Sequence, residues 1–193
     1  MSLRNSGDRA YRSLLSRPLL LAAGLFLGSG VLGYAAGGQP EARKTMDSLA
    51  EAIIPLRELD SLHLLLFIFL NNVVKAGAAV ILGFVLGIPT AIFLMTNGIV
   101  AGLVIYQVMA EWGLGYTLAG LAPHGMVEIP ALLLAGSLGL EVGGEVLRWL
   151  RRRPSNVRRR LRRVIRPYLV YIAPALAVAA VIEVFITPLL LRG

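Results

Sequence analysis

A chain of 193 residues with 56% hydrophobic and only 16% charged residues has too little polar surface to cover a soluble domain, and a mean hydropathy of +0.72 points to a bilayer as its solvent. It has no cysteine, which excludes disulfide frameworks, thiolate metal sites and cysteine nucleophiles, and its only imidazoles are His63 and His124. The formal charge of +8 comes largely from ten arginines between Arg148 and Arg166 with Trp149 as the one aromatic nearby, so a basic loop between spans is expected and a specific nucleic-acid partner is not.

Residues 1–17 hold Arg4, Arg9, Arg12 and Arg17 against one acid, Asp8, and read as a basic N-terminus. The apolar run 18–36 is longer than the roughly 7–15 residues of a cleaved signal core, so it is expected to be a retained first span. Mixed charges fill 37–61, where Met46, Leu49, Ala50 and Ile53 recur at helical spacing. This predicts an amphipathic helix at the interface, broken by Pro55, which suits the first turn of the next helix.

Between Asp60 and Glu111 the only charged residue is Lys75. A run this long has to cross, turn and cross again, because about 20 apolar residues already span the hydrocarbon. Two registers are open, with the turn at Gly87-Ile88-Pro89 or at Asn97-Gly98. The first is preferred, with spans over 62–86 and 91–110, because the second leaves Glu111 and Trp112 in mid-span. A glycine-rich connection over 112–125, with Trp112 and Tyr116 suited to the interface, leads to a fourth span over 126–147. The arginine-rich loop 148–166 is split at Pro154-Ser155-Asn156, and 167–193 supplies a fifth span and a short tail. The fold class expected is all-α, a polytopic transmembrane bundle of about five spans plus an interfacial helix. Four crossings put both basic segments on the cytoplasmic side and the C-terminus outside.

Small residues repeat at close-packing spacing, among them Gly83 with Gly87 and Gly98 with Gly102, so helix contacts are expected there. Asn71, Asn72, Lys75 and Asn97 sit deep in apolar sequence, and a mid-bilayer lysine costs roughly 2.5–3.5 kcal/mol. They are expected to face protein or water, as a clamp fixing the second span on the third or as a solute path. Glu183, near the middle of the fifth span, is expected to be protonated, paired across helices with Lys75 as the obvious partner, or exposed to a wet cavity.

His124 and Glu128 stand four apart on one helical face, where they could pair, share a proton or bind a metal. Two ligands do not make a metal site, so none is assigned and the pair is read as steadying the start of the fourth span. His63 is taken as interfacial, and Glu141 and Glu145 as offsetting Arg148 and Arg151. Arg151, Arg152, Arg153, Arg158, Arg159 and Arg160 are candidates for anionic lipid head groups, at about 1 kcal/mol each near the surface. There is no zinc-protease helix motif, phosphate-binding loop or nucleophile elbow, so neither an enzyme nor a cofactor is expected.

The runs FLNNVVKAGAAVILGFVLGIP, TNGIVAG and PHGMVEIPALLLAGSLG, in that order, resemble the stage II sporulation protein M (SpoIIM) family over Phe67 to Gly144. The matching elements are Asn71 and Asn72, Asn97 and Gly98, and the outer-face group Pro123, His124, Gly125 and Glu128. The resemblance implies a small multi-pass protein of a prokaryotic cell membrane. In spore formers it implies an assembly subunit working with peptidoglycan-degrading partners during engulfment, whereas many relatives occur in organisms that form no spores. Two functions are therefore carried forward. One is a scaffold, homo-oligomeric or part of a membrane complex. The other is an oligomeric channel or transporter lined by the intramembrane Asn, Lys, His and Glu groups.

Overall fold

The computed structural model describes the backbone of residues 3–191 and the side chains of residues 17–191, apart from Ile53 and Arg57. The side chains of Arg4, Arg9, Arg12 and Arg192 lie outside the described set. Among the described residues there is helix and turn and no strand.

Helix α1, Leu3–Ala36, carries the first apolar stretch, Arg17–Ala36. Helix α2, Pro40–Ile53, begins with its proline in the first turn, where a missing N–H is harmless. Its apolar side is barely covered: Ala42 is buried and Met46 half-buried, while Leu49 and Ala50 are exposed. The next helix does not start at Pro55. Ile54–Glu58 forms a tight 3₁₀ turn, and α3, Ser61–Ile81, starts where Asp60 supplies a cap, its carboxylate accepting from the N–H groups of Leu62 and His63 at 3.0 and 3.1 Å.

α3 ends in a short 3₁₀ turn, and the chain reverses through Leu86 (φ 55) and Gly87 (φ 76) into Ile88 and Pro89. This is the first of the two registers. Helix α4 then runs from Ile88 to Leu150, 63 residues, which as a straight rod would be about 95 Å long. It is folded back at Gly113, whose φ of 78 and ψ of 176 lie in a region that is essentially glycine-only. Contacts along the two arms, 88–112 and 114–150, show the reversal. A Cβ on Gly136 would lie 2.6 Å from Leu94 Cδ2, one on Gly139 would lie 2.6 Å from Thr90 Oγ1, and one on Gly143 would fall on the backbone of Gly87.

The expected glycine-rich connection over 112–125 is thus a single-residue break followed by helix. Gly115, Gly120 and Gly125 stay helical, because in an apolar solvent the helix satisfies their backbone groups internally. Helix α5, Val157–Leu190, is likewise continuous through the basic segment and the last span. The break between α4 and α5 lies at 151–156, and Arg158 to Arg166 form the first turns of α5 rather than a separate piece.

α1 runs parallel to the first arm of α4. Gly30 packs on Gly98, Gly102 packs on the Gly30 carbonyl, and the Tyr34 ring meets Tyr106 edge-on at 5.5 Å between centroids. The start of α1, the turn at 82–88 and the arginine loop therefore share one end of the bundle. The Gly113 tip and the end of α5, where Leu191 lies against Gly120, share the other, together with α2. Among the described residues four helices are long and apolar enough to cross a membrane, and the fold of α4 divides them into five arms, in line with the expected class. Leu94, Val142, Val164, Ile172 and Leu176 are buried between arms, while Leu20, Val31, Val74 and Leu189 are 65–71% exposed on the outside, as lipid-facing residues should be.

Candidate functional site, a polar centre between three helices

Three arms bring polar groups together partway along the bundle. His124 and Glu128 lie on the second arm of α4, roughly 17 and 23 Å beyond the Gly113 tip at 1.5 Å per residue. Glu183 comes from α5, and one ligand-capable atom from each of the three lies within 4.8 Å of the others. Asn72, from α3, donates its amide N–H to Glu128 Oε1 at 3.2 Å, and Asn71 donates to Asn72 Oδ1 at 3.3 Å. The adjacent asparagines thus form a relay that ends on a carboxylate. His124 Nδ1 is buried without a hydrogen-bond partner among the described residues.

Local backbone explains the placement of Glu183. α5 contains two π turns, Tyr168–Ile172 and Ile182–Ile186, and each ends two residues before a proline, Pro174 and Pro188. A proline has no N–H to donate and crowds the preceding turn, so the helix widens there. The second widening carries Glu183; such bulges frequently occur at functional sites. The first carries Tyr168, whose hydroxyl donates to the Val73 carbonyl and ties α5 to α3.

The remaining expected site residues are dispersed. Lys75 is exposed on the outer side of α3 and makes no ion pair with Glu183 among the described residues. One helix position decides this: Ala76, one residue on, is fully buried at 0% exposure, so Lys75 points away from the seam, where its long stem can snorkel. Asn97 does not join the second span to the third. Its amide donates to the Phe93 carbonyl of its own helix at 2.7 Å. The link between those spans is Thr90, fully buried, whose hydroxyl donates to the Ala79 carbonyl at 2.6 Å. Asn72 instead fixes the second span on the fourth.

Pro123 and Gly125 lie within a continuous helix, so His124 and Glu128 do not steady a helix start. Gly83, Gly87, Gly98 and Gly102 all sit at close contacts: Gly83 on the Gly139 backbone, Gly87 beside Gly143, Gly98 on Phe26 and Ser29, and Gly102 on Gly30. His63 is exposed and pairs with Asp60, and that pairing, with the Leu62 and His63 N–H groups, holds the Asp60 carboxyl below its usual range.

At the opposite end, Glu145 is buried and pairs with Arg148. It also accepts from the Asn156 N–H at 2.6 Å, and Asn156 in turn caps α5 by accepting from Arg159 N–H at 3.0 Å. Arg160 turns inward to Glu141 at 2.6 Å and lies 3.9 Å from Glu145, so it is not free for lipid; Arg151 takes no part in these pairs. Arg151, Arg152, Arg153, Arg158 and Arg159 are exposed. The helical spacing of Glu145 and Arg148 is visible in the sequence, but the 19-residue reach from Glu141 to Arg160 depends on how the 151–156 loop folds back.

Fold and site together define an all-helical, multi-pass membrane protein with a His-Glu-Glu centre braced by an asparagine pair. The stage II sporulation protein M family model matches residues 19–188, nearly the whole chain, and the chain belongs to that family. It is also 36% identical over 81 residues to an uncharacterized protein of Methanocaldococcus jannaschii. That match covers 42% of this chain and 34% of the archaeal protein's own length. No solved structure matches the chain.

Proposed function

We propose that this protein is a non-enzymatic assembly subunit of a prokaryotic membrane complex, with the N-terminus and arginine loop in the cytoplasm and the C-terminus outside. The carrying observation is that the intramembrane polar groups make one local cluster and do not extend along the bundle. Asn71, Asn72, His124, Glu128 and Glu183 gather in one place, but Lys75 faces outward, Asn97 bonds to its own helix, and the seams between arms close backbone to backbone at glycines, so Lys75 and Asn97 do not extend that cluster into a solute route. The little-covered α2, at the end opposite the arginine loop, is then the surface that engages a partner subunit or a second copy. The exposed arginines hold the other end against anionic head groups, more weakly as salt rises. A role beside peptidoglycan-remodelling proteins, as the family resemblance implies for spore formers, fits this arrangement.

A second reading, an oligomeric channel or transporter, draws on the His124, Glu128 and Glu183 cluster, since ionisable groups within spans often mark ion routes. Proteoliposome flux separates the two. An assembly subunit gives flux no greater than empty vesicles for protons, alkali and divalent cations, and its native-gel complex shrinks when residues 40–53 are replaced by a Gly-Ser linker. Sustained flux that Glu128→Gln abolishes would overturn the assembly reading.

A further inference from the structure

Glu128 and Glu183 come from different helices, and neither has an ion-pair partner among the described residues. Two carboxylates this close, away from bulk water, need their charge compensated, because an uncompensated charge in a bilayer costs several kcal/mol. Lys75 is the only basic residue within the apolar run of α3, and it points outward. Compensation therefore comes from protons or from a bound cation.

Two observations favour a cation. The third member of the group is an imidazole, which a purely proton-sharing carboxyl pair does not need. In addition, His124 Nδ1 is buried with no hydrogen-bond partner among the described residues, a costly state that a metal bond at that nitrogen or a bridging ligand relieves. The donors are one neutral nitrogen and two carboxylates, together bearing two negative charges, which a divalent ion neutralises and a monovalent ion does not. Imidazole with carboxylate suits a first-row ion such as zinc or manganese better than calcium or magnesium, which prefer all-oxygen sites.

The geometry is close to what such an ion requires. Metal bonds of about 2.0–2.2 Å place ligand atoms roughly 3.4 Å apart, and the three groups already lie within 4.8 Å of one another. Small rotations of long glutamate side chains close that gap without moving a helix. Asn72 acts in an outer role, its N–H orienting the Glu128 carboxylate while Asn71 orients Asn72.

We propose that His124, Glu128 and Glu183 form an intramembrane site for one first-row divalent cation, which fastens the second arm of α4 to α5 and, through Asn72, to α3. The site is independent of the assembly role: a metal-free protein leaves that role standing, and a conducting protein leaves the site standing.

The test is protein in nanodiscs, stripped with chelator and titrated separately with Zn²⁺ and Mn²⁺. One ion per chain is expected. Glu183→Gln, which loses a ligand charge, should weaken binding by roughly 100-fold or more, Asn72→Ala by roughly 10–100-fold, and Glu41→Gln on exposed α2 not at all. Should the variants fail to fold, the wild-type protein alone remains decisive: bound Co²⁺ should show the visible absorption of a low-coordinate nitrogen-oxygen site. Absence of stoichiometric binding, a Co²⁺ spectrum like that of the hexa-aquo ion, or binding undiminished in a folded Glu183→Gln protein would each overturn the proposal.

Discussion

Replacing Gly113 by alanine puts a side chain on a backbone at φ 78 and ψ 176, where no L-residue is comfortable, yet a Cβ there meets nothing within 4 Å. The penalty is therefore pure backbone strain, about 1–3 kcal/mol, with no steric clash to confuse it. Gly115, two residues on, is the matched control. It is helical and equally open, so Gly115→Ala should stabilise by up to about 1 kcal/mol through helix propensity. Both substitutions reduce unfolded-chain freedom by the same amount, and that contribution cancels between them. The two variants should differ by about 1–4 kcal/mol, with opposite signs relative to the parent. Reversible unfolding in mixed micelles, followed by far-UV circular dichroism as SDS is added, reads that difference. Equal stability of the two variants would refute a hairpin turn at Gly113 and restore the glycine-rich connection over 112–125.

The remaining predictions concern the ends and seams. Glu145→Leu, which strips the acceptor from Asn156 and a charge partner from Arg148, should destabilise by about 3–5 kcal/mol, against less than about 0.5 for Arg151→Gln. Hydrogen exchange in the 154–160 segment should locate the loss. Gly83→Leu should cost about 1–3 kcal/mol or more because its Cβ falls on the Gly139 backbone, whereas Gly144→Leu, with nothing within 4 Å, should be near neutral in the same unfolding assay. For Asp60 the folded pKa is depressed below the ordinary aspartate value, so its cap on α3 is fully present above that ordinary value and is lost as pH falls through the lower, folded one. Protection of the Leu62 and His63 amides should fall over that acidic window, and Asp60→Asn should remove the pH dependence.

The span pattern was legible because it rests on solvent: long apolar runs, turn residues at Gly87-Ile88-Pro89 and basic loops are local properties. The glycine contacts at Gly83, Gly87, Gly98 and Gly102 were legible for the same reason, since close helix approach leaves a short-period mark. What could not be read locally was which face of α3 looks inward: a one-residue step separates the buried Ala76 from the exposed Lys75, and Asn72 lies one turn before Ala76. His124, Glu128 and Glu183 could each be picked out, but their meeting depends on the hairpin at Gly113 and on the π turn before Pro188. Pro174 and Pro188 were the available signal for the two π turns. Their spacing says where a helix is disturbed and not which side chain the disturbance redirects.

The most direct test is an oxygen-accessibility scan of nitroxide labels along α3, which the cysteine-free chain permits without background. In a bilayer, labels at Leu70, Val74 and Ile81, each more than half exposed, should collide freely with oxygen, as should one at Lys75. Labels at Asn72, Ala76, Ala79 and Val80 should be shielded. A label at Asn72 as accessible as one at Val74, or a shielded one at Lys75, would contradict the placement of the asparagine relay against Glu128, and with it the polar centre.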